Sequence, residues 1–297
     1  MLWIPFTLVA AFIQSWRNAF QKQLSSTVNA TGVTLARFIF AWPIAGGYLA
    51  LLYWGASEPQ QVNSALSAMF SLNVSLFIIL TAFCQIIATA LMVLLFQQRN
   101  YAIGVGLAKS EAVLAALLGA VFFSSTLSPL GWFGVLLGGY AVFLLSGSRL
   151  RDLTWHTMLI GLGSGLAFAL SSLFAREASL ALGLPFPFSA AWVVFLVISL
   201  QALSLVLWLM LRDVATLRQL FKQLRLSLLI SVTSCVGTIC WFTAMSLERV
   251  ALVKTLGQIE MLFTVCISVF FFKETLKQRD KVGLGCILVA AICVMWA

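Results

Sequence analysis

The chain is short of charge. Nine of its 297 residues are acidic and 9% are charged in all, against 62% apolar, whereas soluble domains carry about a quarter charged residues. A soluble fold is all but excluded on that ground, and continuous apolar runs in place of polar–apolar alternation point to helices and not to a transmembrane β-barrel. Histidine occurs once, at His156, with no HExxH and no paired-aspartate motif, so a metal-centred enzyme lacks its ligands. Gly163-Ser164-Gly165 holds a serine in a glycine frame, but His156 lies eight residues earlier, about 12 Å along the same helix axis, too far to act as its base. The six cysteines lack paired zinc spacing and fall inside apolar runs, where they read as packing residues. No metal and no cofactor is expected. The formal charge of +9 comes without a continuous basic patch interleaved with aromatics, which argues against nucleic acid, and no carbonyl-filter repeat suggests a channel. The first apolar run follows Met1 without a basic leader or a small-residue cleavage site, so it reads as a retained helix.

What the chain has in abundance is long apolar runs. Each must supply roughly 20 residues to cross a bilayer, and ten do so: 2–22, 31–53, 71–96, 101–123, 130–147, 156–178, 187–211, 226–246, 250–272 and 280–297. The expected fold is an all-α integral membrane protein of ten transmembrane helices. Its longest connections are the polar stretches Gly55 to Asn63 and Arg212 to Arg225, leaving no room for a soluble domain.

The chain also repeats itself. Adding 149 brings Thr89, Ala102, Leu107, Glu111, Phe122, Phe123, Thr126, Leu127, Gly134 and Ala141 onto Thr238, Ala251, Leu256, Glu260, Phe271, Phe272, Thr275, Leu276, Gly283 and Ala290. The expected units are therefore residues 1–150 and 151–297, each of five helices. An odd number of spans per unit makes the repeat an inverted one. Twelve Lys and Arg flank the odd-numbered loops, and only Arg176 and Arg249 flank the even ones. The positive-inside bias puts the odd loops in the cytoplasm and both termini outside.

In these features the chain resembles the drug/metabolite transporter superfamily, specifically its ten-helix EamA-like branch. Lys273-Glu274-Thr275-Leu276 with Gly283 is similar to the end of the family's fourth helix in each half. Ser124-Ser125-Thr126-Leu127 with Gly134 keeps that frame without the glutamate. Thr31 to Pro43, with Arg37-Phe38, is similar to the second-helix pattern. Glu111-Ala112 and Glu260-Met261 keep the acid of the fourth and ninth helices but not the proline after it, so no proline kink carries over. The resemblance implies a transporter of small solutes such as amino acids, nucleotide sugars, phosphorylated sugars or drugs. Such proteins are drawn with both termini inside; the basic residues of this chain argue the reverse.

Ionisable groups inside spans cost at least ~2.5–3.5 kcal/mol on insertion scales, so they face the bundle interior. Six stand out: Arg17, Arg37, Lys109, Glu111, Lys254 and Glu260, with both glutamates about 15 Å into their spans and hence near the midplane. Gln14, Arg17, Asn18 and Gln21 recur at helical spacing and form a polar stripe that should line a cavity. Trp16 beside that stripe, Gln85 and Trp241 in the third helix of each half, and Gln258 next to Glu260 complete the candidate substrate site. Four embedded cations against two anions favour an anionic or zwitterionic ligand. The competing structural readings are buried pairs, Arg37 with Glu111 and Lys254 with Glu260, and lipid-facing or packing roles for Trp16 and Trp241. Gly161 with Gly165, and Gly134 with Gly138, have the spacing of close helix contacts.

The expected function is secondary transport of a small anionic or zwitterionic metabolite, amino-acid-like or phosphorylated, by alternating access. Glu111 or Glu260 is the candidate proton carrier. The alternatives are export of cationic drugs or quaternary ammonium compounds and, behind that, an intramembrane enzyme. The expected setting is a bacterial inner membrane and the expected partners the lipid bilayer, the solute and protons, with the chain a monomer or weak dimer.

Overall fold

The computed structural model of the chain describes residues 1–55, 71–97, 108–145, 154–272 and 278–297. Every regular element among them is helical. In chain order these are α1 (Trp3–Leu24), α2 (Ala30–Ala36), α3 (Ala41–Trp54), α4 (Leu72–Gln97), α5 (Glu111–Phe122), α6 (Pro129–Leu145) and α7 (Trp155–Leu182). There follow α8 (Phe188–Arg212), α9 (Val214–Lys222), α10 (Leu224–Leu247), α11 (Val250–Leu256), a 3₁₀ turn at Gly257–Ile259, α12 (Glu260–Phe272) and α13 (Gln278–Met295). Five stretches are long and apolar enough to cross a membrane: Ala30–Trp54, Leu72–Gln97, Trp155–Leu182, Phe188–Arg212 and Leu224–Leu247; shorter apolar helices accompany them. The Lys273–Leu276 motif and residues 101–107, which open the expected fourth span, lie outside the described residues.

Side-chain caps set several of the helix ends. Thr154 accepts from the Thr157 amide at the start of α7, and Gly183, at φ +61°, supplies the left-handed residue that ends it. Arg176, read from sequence as a loop cation, lies within α7 and donates to the carbonyls of Met245 and Glu248 at the end of α10. A cation there satisfies carbonyls that the helix leaves open.

The helices pack as pairs: α1 along α10, α4 along α7, α6 along α13 and α3 against α8. Glycine makes the closest approaches possible. A Cβ on Gly134 of α6 would lie 2.7 Å from Val294 Cγ2 and 3.2 Å from the Ala290 carbonyl on α13. One on Gly165 of α7 would lie 3.1 Å from the Ala108 carbonyl and 3.3 Å from the Glu111 amide nitrogen, so α7 presses on the turn that opens α5.

Two expected continuous spans are broken. Residues 31–53 divide into α2 and α3 because the Ser231 hydroxyl of α10 stands in a helical rung: it donates to the Ala36 carbonyl at 2.6 Å and accepts from the Phe40 amide at 3.3 Å. A side chain inserted between residues i and i−4 breaks a helix, and Pro43 removes the next donor but two. Residues 250–272 divide at the 3₁₀ turn although no proline is present. There the Trp241 ring lies so close to Gly257 that a Cβ has no room. The stretch Arg212 to Arg225, expected as a plain connection, contains the amphipathic helix α9. Asp213 caps it, Thr216 and Leu220 are its buried side, and Arg218 and Lys222 are exposed.

Candidate functional site

The two glutamates matched by the repeat are each the first residue of a helix, α5 and α12, that begins within the bundle. Their partners differ from the pairs expected from sequence. Lys254 Nζ lies 2.7 Å from Glu111 Oε1, and Lys109 pairs with Glu260. Each ion pair thus joins the segment around α5 to the segment around α11 and α12. The Arg37–Glu111 and Lys254–Glu260 pairs do not form, because the breaks at 109–111 and 257–260 bring each lysine opposite the other segment's glutamate.

The polar stripe of α1 serves this cluster. Gln14 and Asn18 donate to the two Glu260 oxygens at 2.6 and 2.7 Å, and Arg17 donates to Asn18 Oδ1 at 3.1 Å. Trp241 Nε1 donates to Gln14 Oε1 at 2.8 Å, which fixes how that amide is turned. The Lys254 ammonium stands 4.4 Å from the centre of the Trp241 ring, a cation–π contact, and Ser172 Oγ donates to Glu111 Oε1 at 3.1 Å. Trp241 is 5% exposed and belongs to the site. Gln201 of α8 donates to Gln85 Oε1 at 2.8 Å and orients it.

These side chains gather around one cavity. Gln14, Arg17, Asn18, Arg37 and Gln85 line it, as do Lys109, Glu111, Trp241 and Lys254. Glu260 is held behind that lining, and Gln258 lies in a smaller annexe beside Gly257, its buried amide without a hydrogen-bond partner among the described residues. Trp16 is not part of the cavity; one residue along from the polar stripe it turns away and lies against Phe20, 6.2 Å between ring centres. Gln21, at the end of the stripe, is fully buried and does not line the cavity either.

Sequence reasoning missed the apolar part of the wall. Met92 and Phe168 line it, with Thr238, Phe242 and Met245 of α10. The signal was there: Thr238, Trp241, Phe242 and Met245 stand at i, i+3, i+4 and i+7, the same spacing as the stripe on α1. Ser164, the serine of the glycine frame, is buried and donates to the Ala88 carbonyl at 2.9 Å, while His156 is exposed. Among the described residues no group of three His, Cys, Asp or Glu is arranged to hold a metal.

A crystal structure 15% identical to this chain superposes over 98% of each chain with a TM-score of 0.69, a likeness of fold alone. No curated protein matches the sequence. The model of the EamA-like transporter family matches residues 155–296. The chain is accordingly a multi-pass integral membrane protein that carries, over residues 155–296, a unit of the EamA-like transporter family of the drug/metabolite transporter superfamily.

Proposed function

We propose that the chain is a secondary transporter of a small anionic or zwitterionic metabolite, amino-acid-like or phosphorylated, working by alternating access between two inverted five-helix halves, residues 1–150 and 151–297. The observation that carries this reading is the crossed pair of salt bridges at one cavity, Lys254–Glu111 and Lys109–Glu260, with Arg17 and Arg37 in the same lining. Four cations and two carboxylates give that group a formal charge of +2, complementary to an anion.

Ten spans follow if α2 with α3 and α11 with α12 each count as one broken span and α9 lies at the surface. Reciprocal packing supports the inversion. In that numbering α1 on α10 is the first span on the eighth, and α4 on α7 is the third on the sixth, contacts that exchange when the halves exchange. Broken helices meeting at a central site are the usual places where inverted-repeat transporters bind solute. Glu111, which lines the cavity, is the residue to which we assign proton coupling, with the odd loops on the cytoplasmic side of a bacterial inner membrane and the protein a monomer or weak dimer. Export of cationic drugs is disfavoured because each carboxylate already carries a lysine.

Uptake into proteoliposomes, paired with a thermal-shift comparison of anionic, zwitterionic and cationic solutes, tests the reading. Stabilisation by anions or zwitterions is expected. Stabilisation by quaternary ammonium compounds alone would overturn it.

A further inference from the structure

This inference rests on the transporter reading and concerns the chemistry of the solute. The two lysines of the cavity each form an ion pair with a carboxylate; Arg37 forms none among the described residues, and Glu111, the carboxylate within its electrostatic reach, is already held by Lys254. Its guanidinium donates to the neutral Thr89 hydroxyl at 2.7 Å, and its buried Nε–H has no hydrogen-bond partner among the described residues, although the residue is only 3% exposed. A buried charge whose hydrogen bond goes to a neutral group and whose neighbouring carboxylate is shared with a lysine is costly, and the cost falls when a further counter-charge arrives.

The direction from which that counter-charge can come is restricted. The Phe38 and Phe168 rings lie 5.3 and 6.0 Å from the guanidinium carbon. With these two rings beside it, the guanidinium offers a ligand its in-plane N–H edge, and that edge matches the two oxygens of a carboxylate or phosphate. A halide or a neutral amide lacks that geometry. Met92 and Phe168 provide apolar wall for the rest of such a molecule.

The fold fixes the arginine where the span is broken. At the outer end of α2, Asn29 caps the helix through the Gly32 amide and donates to Thr216 Oγ1 at 2.7 Å. Gly32 lies so close to Thr216 that a Cβ would be only 2.5 Å from its methyl carbon. At the inner end, the Ser231 hydroxyl bridges the Ala36 carbonyl and the Phe40 amide, and one turn along α10 Cys235 Sγ donates to the Ala41 carbonyl at 3.4 Å. Arg37 stands between these two attachments.

We infer that Arg37 is the anchor for an oxyanion of the transported solute, a carboxylate or phosphate taken by two parallel N–H···O bonds, and that Ser231 is a positioning residue that keeps the span open at that anchor.

The test uses the purified full-length chain and pairs of solutes that differ only in the oxyanion: carboxylates with their amides, and phosphate monoesters with their parent alcohols. Benzoate with benzamide and phenyl phosphate with phenol are the first pairs, and inorganic phosphate separates a bare anion from an organic one. Wild-type protein is expected to be stabilised by oxyanions of one class and not by their neutral partners. Arg37→Gln should abolish that difference. Arg37→Lys, which keeps the charge and loses the fork, should weaken oxyanion binding by about tenfold or more. Ser231→Ala should weaken oxyanion binding selectively, with Ser231→Thr restoring it. Unchanged oxyanion affinity in Arg37→Lys or Arg37→Gln would overturn the anchor while leaving transport of anions intact. Unchanged oxyanion binding in Ser231→Ala, or a loss that Ser231→Thr fails to restore, would remove the positioning role. Binding of cationic solutes alone by the wild type would overturn the transporter reading itself, an outcome distinct from the other two.

Discussion

Glu111 and Glu260 occupy matched positions in the repeat, yet their surroundings differ. Glu260 is 1% exposed and receives Gln14, Asn18 and Lys109, with donors on both oxygens. Glu111 lines the cavity with its side chain 12% exposed, and Lys254 and Ser172 both meet its Oε1. A carboxylate enclosed by three donors is costly to disturb, because each donor left behind loses its own partner. One facing open space can exchange partners at lower cost. Equivalence in sequence therefore does not carry equivalence of surroundings: Glu260 is enclosed by donors, and Glu111, open to the cavity, is the one to which the proposed transport cycle assigns movement.

The strongest way to break this contrast is to neutralise each glutamate in turn. Glu260→Gln strands Lys109 in the interior and should cost about 3–5 kcal/mol, read as a large fall in melting temperature and in monodisperse yield. Glu111→Gln should cost about 2–3 kcal/mol, because Lys254 keeps the Trp241 face as a partner. Flux in proteoliposomes should nonetheless fall sharply in that folded variant. Equal loss of stability in both, with flux following stability, would erase the distinction.

Smaller changes sharpen it. Gln14→Leu removes a donor from Glu260 and the acceptor of Trp241 Nε1, and should destabilise by about 1–3 kcal/mol with a shift in tryptophan emission. Ser172→Ala removes only one neutral donor from Glu111, so about 0.5–1.5 kcal/mol is expected. Its effect should show in flux more than in melting. A Ser172→Ala variant less stable than Gln14→Leu would reverse the ranking of the two sites.

Much of this was legible in the residues. Charged groups are rare in apolar spans, so Arg17, Arg37, Lys109, Glu111, Lys254 and Glu260 identify themselves, and helical spacing put Gln14, Arg17 and Asn18 on one face. Which lysine meets which glutamate was not legible, since the crossing depends on where two helices break. One break had a signal, Pro43, but its other cause is Ser231, nearly two hundred residues away along the chain. The second break lies where the Trp241 ring packs on Gly257, a contact that no local propensity announces. Helix α9 escaped notice because nine residues between basic termini have the composition of a loop, and only its capping and its buried side chains Thr216 and Leu220 make it a helix. Trp16 shows the opposite error: adjacency in sequence is a turn of about 100° on a helix, enough to take it off the polar face.

The crossed ion pairs also bear on how the chain is made. Lys109 and Glu111 leave the ribosome well before the residues that neutralise them, Glu260 and Lys254. At about 5–20 residues per second, a gap of that length means roughly 7–30 s during which the first half is electrostatically unfinished. The segments around α5 and around α11 and α12, made at different times, are thus tied together by the same contacts that enclose the cavity.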